Sequence, residues 1–167
     1  NVPESAIPRS SKLVFYTRAG AEIGVASTKA FLAQITAAYL LGLYLAQLRG
    51  NKYKDEIASI LAELQNMPAK IQKVIDNDTQ VKELGVEMKD ASSVIFLGRH
   101  VGFPVAMEGA LKLKEITYIH AEAYPAGELK HGPLALVDSD MPVVVIAPKD
   151  SLLEKVKSNI QEVRARG

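Results

Sequence analysis

The most constraining feature of the sequence is an alternation of short apolar runs with helical segments after residue 90. Ser93–Leu97, Ile119–Ala123 and Met141–Ala147 predict strands, and Pro104–Tyr118 and Asp150–Arg166 predict helices. Continuous Val- and Ile-rich strands that alternate with helices are typical of a parallel sheet covered on both faces. The sequence therefore predicts an α/β fold with a parallel sheet between helical layers. Ligands of such sheets bind at the carboxyl ends of the strands.

The first fifty residues predict one strand and one long helix. Leu13–Tyr16 is a short apolar run typical of a buried strand. The helix begins after Ser27 and Thr28, which are preferred N-cap residues, and ends at Arg49–Gly50. Its Ala30–Leu48 portion has no charged residue and is long enough to span a membrane. Polar side chains and several alanines interrupt it, so a buried core helix is the favoured interpretation and we expect no membrane insertion.

The middle of the chain has no strand signal. Lys54–Asn66 carries apolar residues at the spacing of an amphipathic helix, and Pro68 predicts a break after it. A helical pattern then continues to the turn at Asp76–Asp78, and Val81–Lys89 predicts a further short helix. This charged region is expected to be a helical connector.

Composition excludes several classes of function. The 167 residues include 20 Lys plus Arg against 19 Asp plus Glu, so no broad basic surface for nucleic acid is expected. The chain has no Cys, which excludes disulfides, thiolate zinc sites and a Cys nucleophile, and is consistent with a reducing, cytoplasmic compartment. The three His lack metal-ligand spacing, so neither a metal nor another cofactor is expected. No secretory signal pattern opens the sequence at Asn1.

The first candidate site lies on the helix predicted to begin at Pro104. Glu108, Lys112 and Glu115 fall on one narrow stripe of an otherwise mostly apolar helix. Ionisable groups on a buried helix must pair with each other or face a cavity, because burying an isolated charge is costly. A solvated ladder of paired charges explains the same spacing. The pattern alone leaves both interpretations open.

Two loops form the other candidate sites. In the polar segment Ala126–Pro133, the imidazole of His131 could move protons, although an ordinary loop histidine is the simpler interpretation. The loop Glu22–Lys29 precedes a helix N-terminus, which could hold an anionic or hydroxyl-rich ligand. Ordinary N-capping by Ser27 or Thr28 also explains that loop.

The motifs Glu22–Phe31, Glu108–Glu115 and Gly127–Pro133 together resemble the isomerase region of the glutamine–fructose-6-phosphate aminotransferase family. The similarity runs from the Asn1–Pro3 turn to Gly167. It implies two sugar isomerase (SIS) domains, each a three-layer sandwich with a parallel sheet. Residues 1–50 would end the first domain, 51–80 would form the helical connector, and 81–167 would form most of the second domain.

The resemblance also implies a role for each matched residue. In the family, ammonia from glutamine reaches fructose 6-phosphate, and the isomerase region forms glucosamine 6-phosphate. Glu115 would be the base that moves a proton between C1 and C2, with Lys112 beside it. His131 would assist ring opening across a subunit interface, which implies a homodimer. Val25 and Ser27 would contact the sugar.

Other parts of the family's site have no match in this sequence. The phosphate-binding Ser/Thr-rich loops would precede Asn1, and a Schiff-base lysine would follow Gly167. A glutaminase domain with a Cys nucleophile would belong to the same full-length chain. We therefore expect a fragment that is inactive alone. The alternatives are a non-catalytic sugar-phosphate-binding module of a regulator, and a standalone deglycase or isomerase of the same fold.

Overall fold

The computed structural model describes residues 3–167, so the first two residues of the Asn1–Pro3 turn lie outside the described part. The chain divides into two compact units at the Asn77–Asp78 junction. The first unit contains the helices α1 (Ala6–Ser10), α2 (Lys29–Leu48) and α3 (Lys54–Ile75). The second contains α4 (Thr79–Met88), β1 (Ser93–Gly98), α5 (Gly102–Thr117), β2 (His120–Pro125), two 3₁₀ helices (Ala126–His131 and Pro133–Leu136), β3 (Val143–Ile146) and α6 (Leu153–Arg164).

The three strands of the second unit form one parallel sheet in the order β2-β1-β3, which confirms the predicted α/β fold. Ser93 pairs with His120, and Ile95 pairs with Val143. The central β1 is almost fully buried because both of its edges and both of its faces are covered. Alternate side chains of a strand point to opposite faces, so β1 supplies two separate cores.

One core lies between the sheet and α5. It joins Val94 and Phe96 of β1 to Ala106 and Ala110 of α5. The small alanines let α5 approach the sheet closely. At Gly98 the approach is closest, because an added Cβ would lie 2.2 Å from the backbone oxygen of Gly102.

The other core lies on the opposite face of the sheet. Ile95 and Leu97 pack there against Ala126 and Leu129 of the first 3₁₀ helix, and Val163 of α6 packs against the same cluster. Helical segments therefore cover both faces of the sheet, giving the expected three layers. We call the first 3₁₀ helix, Ala126–His131, the His131 turn.

The first unit departs from the sequence predictions in three respects. The segment Leu13–Tyr16 is not a buried strand: it pairs with no strand among residues 3–167, and Leu13 is almost fully exposed. Pro68 does not break the chain's helix, because α3 runs through it at an exposed position where water can satisfy the freed carbonyl.

The third departure concerns α2, which was predicted to be a buried core helix. Its bounds agree with those predicted from the sequence. It ends before Gly50, whose φ of 66° lies in the left-handed region. Only Leu43 of α2 is buried, however, and the contacts of α2 with α3 leave most of its apolar surface exposed. By length and composition alone, α2 is long and apolar enough to cross a membrane, a test that core helices of soluble proteins also pass.

Candidate functional site

The predicted stripe on α5 is an ion-paired cluster in the structure. Lys112 Nζ lies 2.5 Å from Glu115 Oε2 and 3.4 Å from Glu108 Oε1. The three side chains are 20–28% exposed, so they are neither free in solvent nor enclosed. We call Glu108, Lys112 and Glu115 the acid–lysine stripe.

The spacing of the sequence produces this cluster directly. Residues three and four apart on a helix are neighbours on one face, so Lys112 reaches one carboxylate on each side. The hydrogen bond that Lys112 donates to Glu115 is the main reason why the pKa of its ammonium group is raised, and Glu108 adds to the effect. Lys112 therefore stays charged, and it holds Glu115 oriented and half-shielded from water. A positioned carboxylate of this kind can act as a general base.

His131 is the last residue of the His131 turn, and Gly132, which follows it, has φ 148°. The ring is exposed, and no hydrogen bond or ion pair involves it within residues 3–167. The local hydrogen bond expected of an ordinary loop histidine is therefore missing from the described part. Leu129, two residues earlier, is fully buried and anchors the turn to the sheet.

The topology separates Glu115 from His131. The His131 turn follows β2, so it lies at the carboxyl ends of the parallel strands. Helix α5 begins at that edge and runs back toward the amino ends, and Glu115 lies thirteen residues after its start at Gly102. At about 1.5 Å per residue this places Glu115 about 20 Å along the helix from the carboxyl edge. Within one chain, the structure does not bring Glu115 and His131 together.

In the loop Glu22–Lys29, Glu22 joins the start of the loop to the start of α2, a role that the sequence pattern does not predict. Thr28 is the N-cap of α2 but makes no capping hydrogen bond with its side chain. Instead, Glu22 accepts a hydrogen bond from the backbone N–H of Ala30 at 3.0 Å and one from the Thr28 hydroxyl at 3.3 Å. These bonds, the one from Ala30 first, lower the pKa of Glu22. Thr28 is therefore the N-cap residue, as predicted, but Glu22 accepts the capping hydrogen bond in place of the Thr28 hydroxyl.

The Glu22 carboxylate changes what this loop can bind. It accepts the hydrogen bond of the Ala30 N–H at the start of α2, and its negative charge repels an anion. Val25 is 86% exposed at the tip of the loop, and Ser27 is half-buried. An anion is therefore disfavoured at this end of α2. No spacing rule signals this contact, because Glu22 reaches eight residues along the chain.

The described residues show no metal site. Within residues 3–167, no group of three His, Asp or Glu side chains could hold a metal ion.

A parallel sheet between helical layers, with a carboxylate–lysine pair on the helix after β1, defines a domain of the sugar isomerase (SIS) class. The SIS domain family matches residues 87–167. The whole chain is 67% identical to the glutamine–fructose-6-phosphate aminotransferase (isomerizing) of Corynebacterium efficiens and 59% identical to that of Neisseria meningitidis serogroup A. The chain is therefore similar over its whole length to part of these aminotransferases. It spans 27% of the length of these relatives.

Solved structures agree with this similarity. The C-terminal domain of the glucosamine-fructose-6-phosphate aminotransferase of Francisella tularensis superposes with a TM-score of 0.97 at 51% identity. The match covers 100% of this chain and 47% of that chain. The crystal structure of a "putative phosphosugar isomerase" from Clostridium difficile 630 superposes with a TM-score of 0.85 at 20% identity, which shows a shared fold.

Proposed function

We propose that this chain is part of an isomerase region that converts fructose 6-phosphate and glutamine-derived ammonia into glucosamine 6-phosphate. The observation that carries the proposal is the Glu115 carboxylate held at 2.5 Å by Lys112 on the helix after β1. The names and high identities of the relatives support the substrate and the reaction. A cytoplasmic location and the absence of membrane insertion and nucleic-acid binding are part of the same proposal.

The isomerisation moves one proton of the sugar from C1 to C2. A lysine of the full-length chain condenses with the C2 carbonyl of the open sugar and releases water. Ammonia then displaces the lysine amine to leave an imine at C2. The Glu115 carboxylate takes a proton from C1 as the imine nitrogen gains one, which gives an enolamine. Glu115 then returns the proton to C2 as the C1 hydroxyl loses its own proton. The product has an aldehyde at C1 and an amine at C2, so atoms and electrons balance without a redox cofactor. Lys112 keeps Glu115 oriented toward the substrate and remains charged throughout.

His131 would open the sugar ring in the site of a second copy of the chain. Its separation from Glu115 within one chain supports this arrangement, since the carboxyl edge of the sheet lies about 20 Å along α5 from Glu115. A symmetric dimer would let each subunit complete its partner's site. We therefore propose a homodimer in which Val25 and Ser27 contact the sugar hydroxyls.

The rest of the full-length enzyme would supply what the described residues lack. A glutaminase domain of the same full-length chain would release ammonia, and further loops would bind the phosphate. A lysine outside this sequence would form the Schiff base with the sugar. We expect the 167-residue chain alone to be inactive.

The test of Glu115 uses the full-length enzyme. Glu115→Gln should lower glucosamine 6-phosphate synthesis by about 10²- to 10⁴-fold, the usual contribution of a general base. Glutamine hydrolysis should persist because it needs no proton transfer at C1. Glu83→Gln, on an exposed face of α4, is the matched control and should leave both rates unchanged. Normal synthesis by the Glu115 variant would remove it from the proposed role.

The test of the homodimer mixes two inactive variants. Glu115→Gln and His131→Ala subunits should each be inactive, and random reassociation should restore about a quarter of the sites, because only one site of each mixed dimer is intact. If mixing restores nothing, His131 does not act across the interface.

A further inference from the structure

Four side chains link three elements of the second unit at the edge that carries the His131 turn. Arg99, directly after β1, donates from Nε to Asn159 Oδ1 at 3.0 Å. Asn159 of α6 donates from Nδ2 to Glu162 Oε2 at 3.2 Å. Glu162 Oε1 in turn lies 2.9 Å from Lys130 Nζ. We call these four residues the Asn159 network.

The network is built around a buried amide. Asn159 is only 5% exposed, and burying an amide costs free energy unless it is hydrogen-bonded. Its side chain uses both its acceptor and its donor, one toward Arg99 and one toward Glu162. The bond from Lys130, more than the other contacts, lowers the pKa of Glu162, which therefore stays ionised at neutral pH.

The network holds the His131 turn at two points. Lys130 is the residue before His131, and its ion pair with Glu162 ties the end of the turn to α6. At the start of the turn, a Cβ on Gly127 would lie 3.2 Å from Nη1 of Arg99, so the guanidinium packs directly against the backbone there. The ring of His131 has no partner of its own within residues 3–167, so only its turn sets its position.

We propose that the Asn159 network positions His131 for ring opening. Its residues do not touch the sugar; they act through the backbone of the His131 turn. This inference rests on the proposed function, in which His131 opens the ring of fructose 6-phosphate. It assigns Arg99, Asn159, Glu162 and Lys130 as positioning residues.

The test compares Glu162→Gln with Glu154→Gln in the full-length enzyme. Both changes remove one carboxylate of an α6 ion pair, but Glu154 pairs only with Lys157 on the same helix, at 2.7 Å. Glu162→Gln should lower kcat for synthesis about 10- to 100-fold, the effect of a small misplacement, with KM unchanged within about twofold. Glu154→Gln should behave as the unchanged enzyme.

A substrate that cannot close its ring separates positioning from general destabilisation. The analogue 5-deoxyfructose 6-phosphate lacks the hydroxyl that forms the ring, so it needs no opening. The Glu162→Gln defect should disappear with this analogue. An equal loss with both substrates, or no loss with either, would overturn the inference.

Two further variants keep the test independent of folding and of the proposed function. Lys130 is 64% exposed, so Lys130→Gln leaves the core intact and should show the same substrate-dependent defect. His131→Ala should show it more strongly. If His131→Ala is fully active, the proposed role of His131 is wrong; if only the network variants are fully active, the positioning inference alone is wrong.

Discussion

Leu129 offers a quantitative test of how the His131 turn is attached to the sheet. It is fully buried and packs with Ile95, Leu97, Ala126 and Val137. Leu129→Ala removes three buried carbon groups, each worth about 0.8 kcal/mol of transfer free energy. The cavity that remains adds a further cost, so the free energy of unfolding should fall by about 3 to 5 kcal/mol.

The matched control is Leu136→Ala in the neighbouring 3₁₀ helix. Leu136 is 55% exposed, so its truncation leaves no closed cavity and should cost about 1 kcal/mol or less. Both variants can be measured by urea unfolding followed by far-ultraviolet circular dichroism. The chain has no Trp, so the helical signal is the practical probe.

The comparison of the two leucine variants can refute the anchoring role of Leu129. If Leu129→Ala costs no more than Leu136→Ala, the turn is not anchored through Leu129 and the described packing does not hold it. A second measurement locates the effect: amide hydrogen exchange should accelerate within the His131 turn of the Leu129 variant and stay slow in β1.

Three further predictions follow from packing, backbone conformation and charge. Gly109→Ala should destabilise the chain in urea unfolding, because the new Cβ would lie 2.9 Å from Cε1 of the buried Phe96. His100→Gly should raise stability by about 1 kcal/mol in the same assay, because His100 has φ 50° and the left-handed region is strained for a residue with a Cβ. The lowered pKa of Glu162 predicts a contribution to stability that is complete above the usual Glu pKa of about 4.3 and is lost as the pH falls through the lowered value. Glu162→Gln should therefore flatten the acid limb of a plot of stability against pH, and an unchanged limb would contradict the Lys130–Glu162 pair.

The second unit could be predicted well because each of its strands and helices carries its own local pattern of apolar residues. Ser93–Leu97 predicted β1 almost to the residue, and the alternation with helices predicted a parallel sheet. The acid–lysine stripe also followed from spacing, since Lys112 and its partners lie on one helix. Local patterns succeed where the interacting groups are local.

The failures have a common physical cause. An apolar run such as Leu13–Tyr16 shows that a face is suited to burial, but it does not say which neighbour covers it. The same holds for α2, whose apolar surface is largely exposed in the described residues. Glu22 and the Asn159 network were missed because their partners are distant in the chain, sixty residues apart for Arg99 and Asn159.

The shared position of Lys112 has a consequence for the reaction cycle. A base that accepts a proton loses its negative charge, and a lysine paired with it alone would then be left without a counter-ion in a half-shielded place. Glu108 Oε1 lies 3.4 Å from the same ammonium group. In the proposed reaction, Lys112 therefore has a second carboxylate to pair with while Glu115 carries the transferred proton.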